Sequence, residues 1–456
     1  MPVSRAAPHP GLRRSYDLRG TVGVDLTPAD ACAVGLAFAA LARRRGLSRI
    51  AVSRDGRLSS PELEAALTDG LAAGGMLVFR LPMGPTPLLS YAVARLELDG
   101  GVMVTGSHNP PDQNGFKLLL GGEPLHGRAL MDLWEVDARP APGGGMEEKD
   151  VSDAYLSAIA SELTDLPPCS VAWDCGNGAT GEMVERLTAR LPGRHVLLYT
   201  RVDGRFPNHH PDPSVPDNMT DLAAAVRENG CALGFAFDGD GDRIGAVDET
   251  GTILWPDQLL LLLAQDVLRD HPGSAVVADV KSSATLFDGL AAAGARAVMA
   301  PSGYVRIRER MLQEQAPLAG EMSGHIFFAD RWHGSDDGLY VAARLLRALA
   351  RSGRSLRAFR ESLPAMVATP ELRFPCPDAE KERVIAAVAA GLDGTLPVDR
   401  TDGLRVGNGE GWWLLRASGT EPKLTARCEA PDARRLSAVQ AQLSAALREA
   451  GLSVPF

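Results

Sequence analysis

The 456-residue sequence lacks the features of a secreted, membrane-spanning or nucleic-acid-binding protein. Its six cysteines are scattered without a CxxC pair, which disfavours a disulfide framework or a zinc site and favours a reducing, cytoplasmic setting. No apolar run approaches the ~20 residues of a membrane helix, and the first thirty residues contain no signal-type apolar segment. A net charge of −10 disfavours nucleic acid and anionic membranes as main partners. A small anionic substrate stays compatible with this charge, because local arginines can reverse the field inside a cleft.

One plan is repeated three times along the chain. An apolar run ends at an aspartate and leads into a helical pattern, and these aspartates are Asp55, Asp174 and Asp279. Two further apolar runs follow each time, and the last one opens into a polar loop at 105–110, 238–243 or 320–325. Alternating strands and helices predict βαβ units, and ligands collect at the carboxyl ends of such strands. We therefore expect three related α/β domains, each of which offers one loop to a shared site.

Composition shifts predict where these domains end. The proline- and glycine-rich stretch 139–145 is typical of a linker, and the proline-rich stretch 364–377 precedes a smaller unit with a different pattern. We expect three α/β domains with mixed, largely parallel sheets and a smaller α+β C-terminal domain, arranged around a central cleft. Their predicted ranges are 1–146, 147–250, 251–364 and 365–456. In the last domain the pattern predicts a helix at 378–390, a strand at 412–415 and a closing helix at 433–450.

Ser107 lies between a glycine and an Asn-Pro turn, in the loop of residues 105–110. This setting predicts a serine exposed on a tight loop just past a strand. A hydrolase elbow would read G-x-S-x-G, and Asn109 stands where its second glycine would be. The pattern therefore disfavours a plain serine nucleophile, and a polar turn without chemistry stays open. Lys117 follows closely enough to serve the same site, although an exposed lysine is usually only solubilising.

Three aspartates alternate with glycines directly after the apolar run at 233–237. Asp238, Asp240 and Asp242 can converge on one hard cation, and ligands that are all oxygen favour Mg²⁺, Mn²⁺ or Ca²⁺. A calcium EF-hand loop is excluded, because Arg243 occupies the position of its glycine and a strand replaces its entering helix. Three carboxylates so close together would repel each other without a cation among them. The loop therefore predicts a metal site rather than a solvated acidic turn.

The remaining two loops carry groups that suit a sugar phosphate. Glu321 and Ser323 can accept and donate hydrogen bonds at neighbouring hydroxyls, and His325 can move protons near neutral pH. The C-terminal loop suits a phosphate, because it combines a guanidinium, hydroxyls and a glycine amide at Arg416, Ser418, Gly419 and Thr420. Each loop alone is more often a polar turn. Together with the serine and metal loops, they predict a phosphoryl-transfer site that acts on a sugar.

The sequence also resembles the α-D-phosphohexomutase superfamily, and within it the bacterial phosphomannomutase/phosphoglucomutase group. The resemblance covers nearly the whole chain. It rests on motifs in a fixed order: YDLRG at 16–20, TGSHNP at 105–110, NGFK at 114–117, DGDGDR at 238–243, GEMSGH at 320–325 and RASGTEP at 416–422. It implies a mutase that moves a phosphoryl group between O1 and O6 of mannose and glucose phosphates. The implied route runs through a phosphoserine and a hexose 1,6-bisphosphate, which also serves as activator.

The resemblance implies a role for each matching residue. Ser107 would be the phosphoserine, and it would hold Mg²⁺ together with Asp238, Asp240 and Asp242. Lys117 and His325 would be the general acid and base, with Arg243 offsetting charge on the transferring group. Glu321 and Ser323 would contact the sugar hydroxyls. The non-reacting phosphate would bind Arg416, Ser418, Gly419 and Thr420, while Arg19 and Lys281 would line the cleft.

Two positions depart from the pattern of that group. Gly419 stands where asparagine is usual and is more typical of phosphoglucosamine mutases. The segment Ser302-Gly303-Tyr304 replaces a loop in which a histidine normally contacts the substrate. These departures keep two alternatives open: a phosphoglucosamine mutase and a non-catalytic homologue that only binds sugar phosphates. The expected partners are hexose phosphates, and a monomer and a homodimer are both compatible with the sequence.

Overall fold

The computed structural model describes residues 7–164, 166–419 and 422–452. These residues form two compact units. The first unit contains Met1–Asp266 and Ser323–Arg357, and the second contains Val267–Met322 and Ala358–Phe456. No helix in the described ranges is both long enough and apolar enough to cross a membrane.

The first sheet of the first unit is mixed. Its strands are β1 (Leu18–Thr21), β2 (Arg49–Arg54), β3 (Leu77–Arg80), β4 (Gly100–Val104), β5 (Gln113–Leu120), β6 (Glu123–Pro124) and β7 (Gly145–Glu148). They lie in the order β1-β5-β4-β2-β3-β7, with β6 paired to β5. The pairs β4–β2, β2–β3 and β3–β7 are parallel, whereas β5 runs antiparallel to both of its neighbours in this order. The parallel pairs align the carboxyl ends of β2 and β4 at one edge.

The second sheet of this unit repeats the plan on a smaller scale. Its strands are β8 (Val171–Asp174), β9 (His195–Leu198), β10 (Leu233–Phe237), β11 (Ile244–Asp248) and β12 (Ile253–Leu254). β8 pairs in parallel with β9 and β10, and β11 returns antiparallel beside β10. The unit's helices are α1 (Pro28–Arg44), α2 (Ser60–Ala73), α3 (Thr86–Arg95), α4 (Gly127–Glu135), α5 (Ser152–Ala160), α6 (Gly181–Thr188) and α7 (Thr220–Asn229).

The helix α8 (Pro256–Asp270) leads out of the first unit. In the second unit, β13 (Ala275–Asp279) pairs in parallel with β14 (Arg296–Ala300) and β15 (Leu318–Gly320). The helices α9 (Ala284–Ala292) and α10 (Tyr304–Gln313) follow β13 and β14. The chain then contributes β16 (Ile326–Phe328) and α11 (Gly338–Ser352) to the first unit, and α12 (Leu356–Glu361) follows.

The C-terminal part of the second unit is an antiparallel sheet with two helices. Its strands are β17 (Val367–Ala368), β18 (Leu372–Pro375), β19 (Val398–Asp399), β20 (Leu404–Gly407), β21 (Trp412–Ala417) and β22 (Lys423–Ala430). The helices are α13 (Asp378–Ala390) and α14 (Ala433–Glu449). Three short 3-10 helices elsewhere span Pro10–Leu12, Ser161–Leu163 and Pro216–Met219. The predicted fold class is confirmed: three α/β sheets precede a smaller α+β portion.

Local sequence explains the packing of α1 against α2. Thr27 and Asp30 form a capping box at the start of α1, which satisfies free amides of the first turn. A Cβ at Gly35 would lie 2.3 Å from the Leu67 carbonyl oxygen, so glycine lets the two helices approach closely. Phe38 and Leu67 are buried in the core that these helices form on the first sheet. The close contact therefore depends on a missing side chain as well as on apolar burial.

Three loops start where the repeated pattern predicts them. β4 ends before Thr105, β10 ends before Asp238, and β15 ends at Gly320. The predicted start of α2 is wrong in one detail. The sequence Ser60-Pro61 predicts Ser60 as the N-cap of this helix, but Ser60 is the first helical residue, and its hydroxyl donates a 2.5 Å hydrogen bond to Asp55. The Asp55 carboxylate, five residues earlier in the chain, thus outcompetes the amides of the first helical turn for this hydroxyl.

Candidate active site

Ser107 lies in a tight loop directly after β4, in an uncommon backbone conformation. Its φ of +48° falls in the left-handed region, which costs a non-glycine residue roughly 1 kcal/mol. Its backbone amide donates to the Thr105 hydroxyl oxygen at 2.8 Å. The Ser107 hydroxyl donates to Asp238 Oδ2 at 2.8 Å and lies 3.1 Å from His108 Nδ1. The expectation of an exposed serine is wrong, because only 1% of Ser107 is accessible; the surrounding loops cover it.

The acidic loop after β10 brings three carboxylates together. One oxygen from each of Asp238, Asp240 and Asp242 lies within 4.8 Å of the others, and all three residues are buried. Gly241 takes a φ of +75°, and a Cβ at Gly239 would lie 2.3 Å from the Ser107 carbonyl oxygen. These glycines permit the sharp turn and the close approach of the serine loop. Burial, reinforced by the other two carboxylates, raises the pKa of Asp238 well above its ordinary value.

Lys117 reaches this carboxylate cluster from β5. Its ammonium donates to Asp240 Oδ2 at 2.7 Å and also to Asp242 Oδ2. Burial would lower the pKa of Lys117, but Asp240 and Asp242 outweigh it and raise the pKa above its ordinary value. Lys117 is therefore protonated in this arrangement. The antiparallel pairing of β5 with β4 explains its position, since it places Lys117 opposite Met103, near the end of the strand that leads to Ser107.

His325 and Arg243 meet beside Asp242. The two residues form an isolated antiparallel bridge, and Arg243 Nε lies 3.3 Å from His325 Nε2. His325 Nε2 is 3.4 Å from Asp242 Oδ1, while its Nδ1 is 2.8 Å from the Ser323 hydroxyl. Burial would raise the pKa of Asp242, but the charges of Lys117 and His325 hold it well below its ordinary value. The third predicted loop therefore reaches the metal loop through His325.

Sequence reasoning missed several groups next to these residues. Arg243, followed by burial, lowers the pKa of His108 well below its ordinary value, so this imidazole is neutral beside the Ser107 hydroxyl. Asp336 Oδ2 lies 3.8 Å from His325 Nε2, and burial next to Asp242 raises the pKa of Asp336 to about 6. His108 stands inside the quoted TGSHNP motif, which was a usable signal. Nothing in the local sequence around Asp336 indicates its contact with His325.

Arg19 belongs to the first unit as well. It lies on β1 opposite Gly115 of β5, and its Nε donates to Asp17 Oδ2 at 2.8 Å. The charge of Arg19 contributes to lowering the pKa of His108 and opposes the raised pKa of Lys117. The first unit thus contains the predicted residues Arg19, Ser107, Lys117, Asp238, Asp240, Asp242, Arg243, Ser323 and His325.

The second unit contains the other predicted residues, beginning with a cluster around Lys281. The Lys281 ammonium lies 3.8 to 3.9 Å from the carboxylates of Asp279, Glu321 and Glu371. The Ser302 hydroxyl donates to Asp279 Oδ2 at 3.0 Å, and burial raises the pKa of Asp279. The Gly303 amide donates to Glu321 Oε1 at 3.1 Å. These bonds tie the segment that begins at Ser302 to the carboxyl ends of β13 and β15, and Tyr304 then opens α10.

Arg416 lies at the end of β21 and shares a carboxylate with the Ser302 segment. Its Nε donates to Asp402 Oδ2 at 2.8 Å, and the Ser302 amide donates to the same oxygen at 3.1 Å. Ser418 is fixed through its backbone, whose carbonyl accepts from Lys381 Nζ at 2.9 Å. Gly419 is exposed on the same loop. Thr420, the last predicted phosphate ligand, lies outside the described residues.

Comparison with known proteins identifies the chain's relatives. Four family models match consecutive parts of it: phosphoglucomutase/phosphomannomutase alpha/beta/alpha domains I, II and III at residues 11–130, 153–251 and 255–367, and the C-terminal domain at residues 371–446. Phosphomannomutase/phosphoglucomutase from Pseudomonas aeruginosa is 41% identical over 449 residues, which cover 97% of each chain. Phosphoglucomutase from Neisseria gonorrhoeae is 41% identical over 442 residues, which cover 95% of this chain and 96% of the relative.

A solved structure agrees with these matches. A phosphoglucomutase/phosphomannomutase family protein from Burkholderia thailandensis superimposes with a TM-score of 0.91 at 40% identity. The superposition covers 97% of this chain and 98% of that protein. With four consecutive domain matches and full-length relatives, the chain belongs to the phosphoglucomutase/phosphomannomutase family.

Proposed function

We propose that this protein is a phosphohexomutase, an isomerase that moves a phosphoryl group reversibly between O1 and O6 of mannose and glucose phosphates. The contact between the Ser107 hydroxyl and Asp238, at 2.8 Å, is the observation on which the proposal rests. It joins a hydroxyl that can carry the phosphoryl group to a cluster of carboxylates suited to a cation. Without a cation held by such a cluster, the serine would lack the positive charge that phosphoryl transfer requires.

The carboxylate cluster fits Mg²⁺, which we propose as the cofactor. Asp240 Oδ1 and Asp242 Oδ1 are buried oxygens that make no hydrogen bond within the described part of the chain. Such oxygens are costly unless a cation or a donor satisfies them, and oxygen ligands are those that Mg²⁺ prefers. The residues that would hold the ion are Asp238, Asp240, Asp242 and Ser107. When bound, Mg²⁺ would offset negative charge on the phosphoryl group during transfer.

The surrounding side chains supply the proton transfers. In the forward half-reaction, the bond between phosphorus and Ser107 Oγ breaks, and a bond forms between phosphorus and a sugar hydroxyl oxygen. The sugar hydroxyl loses its proton, and we propose His325 and Lys117 as the general base and acid. The product is a hexose 1,6-bisphosphate, which also acts as activator by loading Ser107. The second half-reaction returns the other phosphoryl group to Ser107, so no phosphate is gained or lost.

Positive charge and hydrogen-bond donors complete the proposed site. Arg243, next to His325, would offset charge on the transferring group, and Arg19 and Lys281 would attract the anionic substrate. Glu321 and Ser323 would contact the sugar hydroxyls. Ser302, Gly303 and Tyr304 would also bind the substrate. The phosphate that does not react would bind to Arg416, Ser418, Gly419 and Thr420.

A substrate panel with intact-mass detection tests this proposal. Purified protein with Mg²⁺ and glucose 1,6-bisphosphate should interconvert mannose 1-phosphate and mannose 6-phosphate, and likewise the glucose phosphates. Its mass should show one phosphate, which Ser107→Ala removes together with most of the flux. Faster turnover of glucosamine 6-phosphate than of mannose 1-phosphate would favour the aminosugar alternative instead. Absence of turnover with every hexose phosphate would contradict the mutase and favour a non-catalytic homologue.

We also propose a cytoplasmic setting, a monomeric or homodimeric state, and the four-domain division at residues 1–146, 147–250, 251–364 and 365–456. The cytoplasmic setting is supported by the six cysteines, all of which are free thiols. Light scattering tests the oligomeric state, and limited proteolysis near the three predicted boundaries tests the division.

A further inference from the structure

A buried arginine lies directly under the loop that carries Ser107. Arg57 is 1% exposed, and within the described residues its two terminal nitrogens donate hydrogen bonds to four backbone carbonyls. The acceptors are the carbonyl oxygens of Ser107 (2.7 Å), Asn109 (2.6 Å), Pro110 (2.6 Å) and Gln113 (2.9 Å). All four belong to the serine loop or to the start of β5. One planar group thus binds four backbone carbonyls of this turn.

Asp55 completes this arrangement from the end of β2. Its Oδ2 lies 3.2 Å from Arg57 Nε, so the buried guanidinium has a carboxylate beside it. The same oxygen accepts from the Thr105 hydroxyl at 2.8 Å and from the Gly106 amide at 3.2 Å. A Cβ at Gly106 would lie 2.3 Å from Arg57 Cζ, so the loop has no space for a side chain there. Both members of the pair therefore bind the serine loop directly.

A segment after β9 covers the guanidinium. The Phe206 ring lies 5.2 Å from Arg57 Cζ, within the range of a cation–π contact. Gly204 approaches so closely that a Cβ there would lie 2.6 Å from Arg57 Cα. This cover removes the guanidinium from water. Hydrogen bonds from a charged, desolvated donor are stronger than those from a neutral donor, and this strength suits a group that must fix a backbone.

We propose that Arg57 is a positioning residue for phosphoryl transfer, which sets the direction of the Ser107 hydroxyl by fixing the carbonyl of Ser107 and the backbone that follows it. This inference rests on the proposed function. Ser107 takes a left-handed conformation that its own preferences disfavour, and Arg57 binds the carbonyl of that same residue. In-line transfer depends on the placement of the attacking or leaving oxygen, and a misplacement of about 1 Å can cost about 100-fold in rate. Arg57 itself touches no reacting atom.

Single-turnover transfer separates this role from a merely structural one. Protein labelled on Ser107 with radioactive phosphate, from labelled glucose 1,6-bisphosphate, is mixed with unlabelled glucose 6-phosphate. Only folded, phosphorylated protein contributes to the rate constant, so poor folding lowers the amplitude and leaves the rate constant unchanged. Arg57→Lys keeps the charge but loses the planar fork, and its rate constant should fall about 100-fold. The steady-state KM for glucose 6-phosphate should stay within about threefold of the wild-type value.

Arg54→Lys is the matched control, because Arg54 lies three residues earlier and binds Glu64 at 3.0 Å instead of the serine loop. Its rate constant should stay within about twofold of the wild-type value. If Arg57→Lys changes the amplitude alone, with a rate constant within about threefold of wild type, the proposal is wrong.

If Arg57→Lys does not fold, Phe206→Ala decides, because it leaves the hydrogen bonds and removes only the covering ring. An approximately three- to tenfold lower rate constant is expected there, and an unchanged one overturns the proposal. Wild-type protein that takes up no label would contradict the proposed function, and this inference with it.

Discussion

The hydroxyl of Thr86 donates a 2.5 Å hydrogen bond to Asp240 Oδ2, and the Thr86 amide donates to the Asp240 backbone carbonyl at 2.8 Å. Thr86 is the first residue of α3, so the start of this helix binds both the side chain and the backbone of the middle aspartate. Asp240 Oδ2 also accepts from Lys117, which leaves Oδ1 without a hydrogen bond in the described residues. Thr86 therefore holds Oδ2 of this carboxylate, and we expect Oδ1 to be the oxygen that binds the proposed Mg²⁺.

Loss of the Thr86 hydroxyl should weaken metal activation. Thr86→Val keeps the shape but removes the donor, so Asp240 loses a hydrogen bond that orients its carboxylate. Loss of such a hydrogen bond to a metal ligand costs about 10- to 100-fold in metal affinity. The Mg²⁺ concentration for half-maximal activity should rise by about that factor, while activity at saturating Mg²⁺ recovers. Thr86→Ser keeps the hydroxyl and should behave like the wild-type protein. Identical Mg²⁺ titrations for the valine and serine variants would contradict this role.

Neutralising Asp240 should have a larger effect. Asp240→Asn removes one charge and one oxygen ligand from the proposed site, and we expect metal-dependent activity to fall by at least about 100-fold. Asp153→Asn is a matched control, since the same change there affects an exposed carboxylate that pairs with Arg186. Initial rates over a Mg²⁺ series measure both. An unchanged titration for Asp240→Asn would remove this residue from the metal site.

Arg416 should affect substrate binding more than the chemical step. Its proposed partner is the phosphate that does not react, so Arg416→Ala should raise KM about 10- to 100-fold and change kcat much less. The control is Arg435→Ala in the same unit, because Arg435 pairs with Glu410 on an exposed surface. Steady-state kinetics with glucose 1-phosphate measure the two constants. Equal KM values in the two variants would exclude Arg416 from the phosphate site.

Asp337 should make the stability of the protein depend on pH. It is buried, it caps α11 by accepting from the Tyr340 amide at 3.0 Å, and burial raises its pKa to about 7. Its ordinary pKa is near 3.8, so between roughly pH 4 and 7 the folded state holds a proton that the unfolded state has lost. Stability contributed by this group therefore falls as pH rises through that window, and the cost is complete above it.

Asp337→Asn keeps the cap and abolishes this titration. The melting temperature of the variant, relative to wild type, should be higher at pH 8 than at pH 5, equivalent to about 1 to 3 kcal/mol of unfolding free energy. Asp432→Asn is the control, because Asp432 caps α14 in the same way, accepting from Arg435 at 2.9 Å, but is exposed. Its melting-temperature difference should be nearly constant between the two pH values. If the melting-temperature difference of Asp337→Asn is also constant between the two pH values, the raised pKa of Asp337 is contradicted.

Several elements were predictable because their signals are local. The helix Asp378–Ala390 agrees with its prediction residue for residue, and the closing helix differs only at its last residue. The three loops were also predictable, because an apolar run that stops at a polar, glycine-rich stretch indicates a strand end wherever the strand pairs. The N-cap of α2 was predicted one residue too late, because the Ser60 hydroxyl binds the Asp55 carboxylate rather than the free amides of the helix. Capping propensity alone cannot anticipate this competitor, because its position depends on how the chain turns between β2 and α2.

The candidate chemistry-bearing residues could be proposed from sequence, since carboxylates spaced by glycines and a serine beside an Asn-Pro turn have few other uses in combination. The residues that hold them in place could not. Thr86, Arg57 and Asp336 lie in ordinary sequence contexts. Arg57 contacts Ser107 from 50 positions away, and Thr86 contacts Asp240 from 154 positions away.

The sequence by itself determined the α/β class, the order of the loops and the chemical groups in each loop, because periodicity and motif chemistry act over a few neighbouring residues. Only the tertiary structure decided that Ser107 is buried against Asp238 and that Lys117 binds two of the three aspartates. Those outcomes depend on strand pairing and on which glycines allow backbones to approach. Ser107 and Asp238 are 131 residues apart, so their distance is set by how the two sheets of the first unit pack rather than by any local preference.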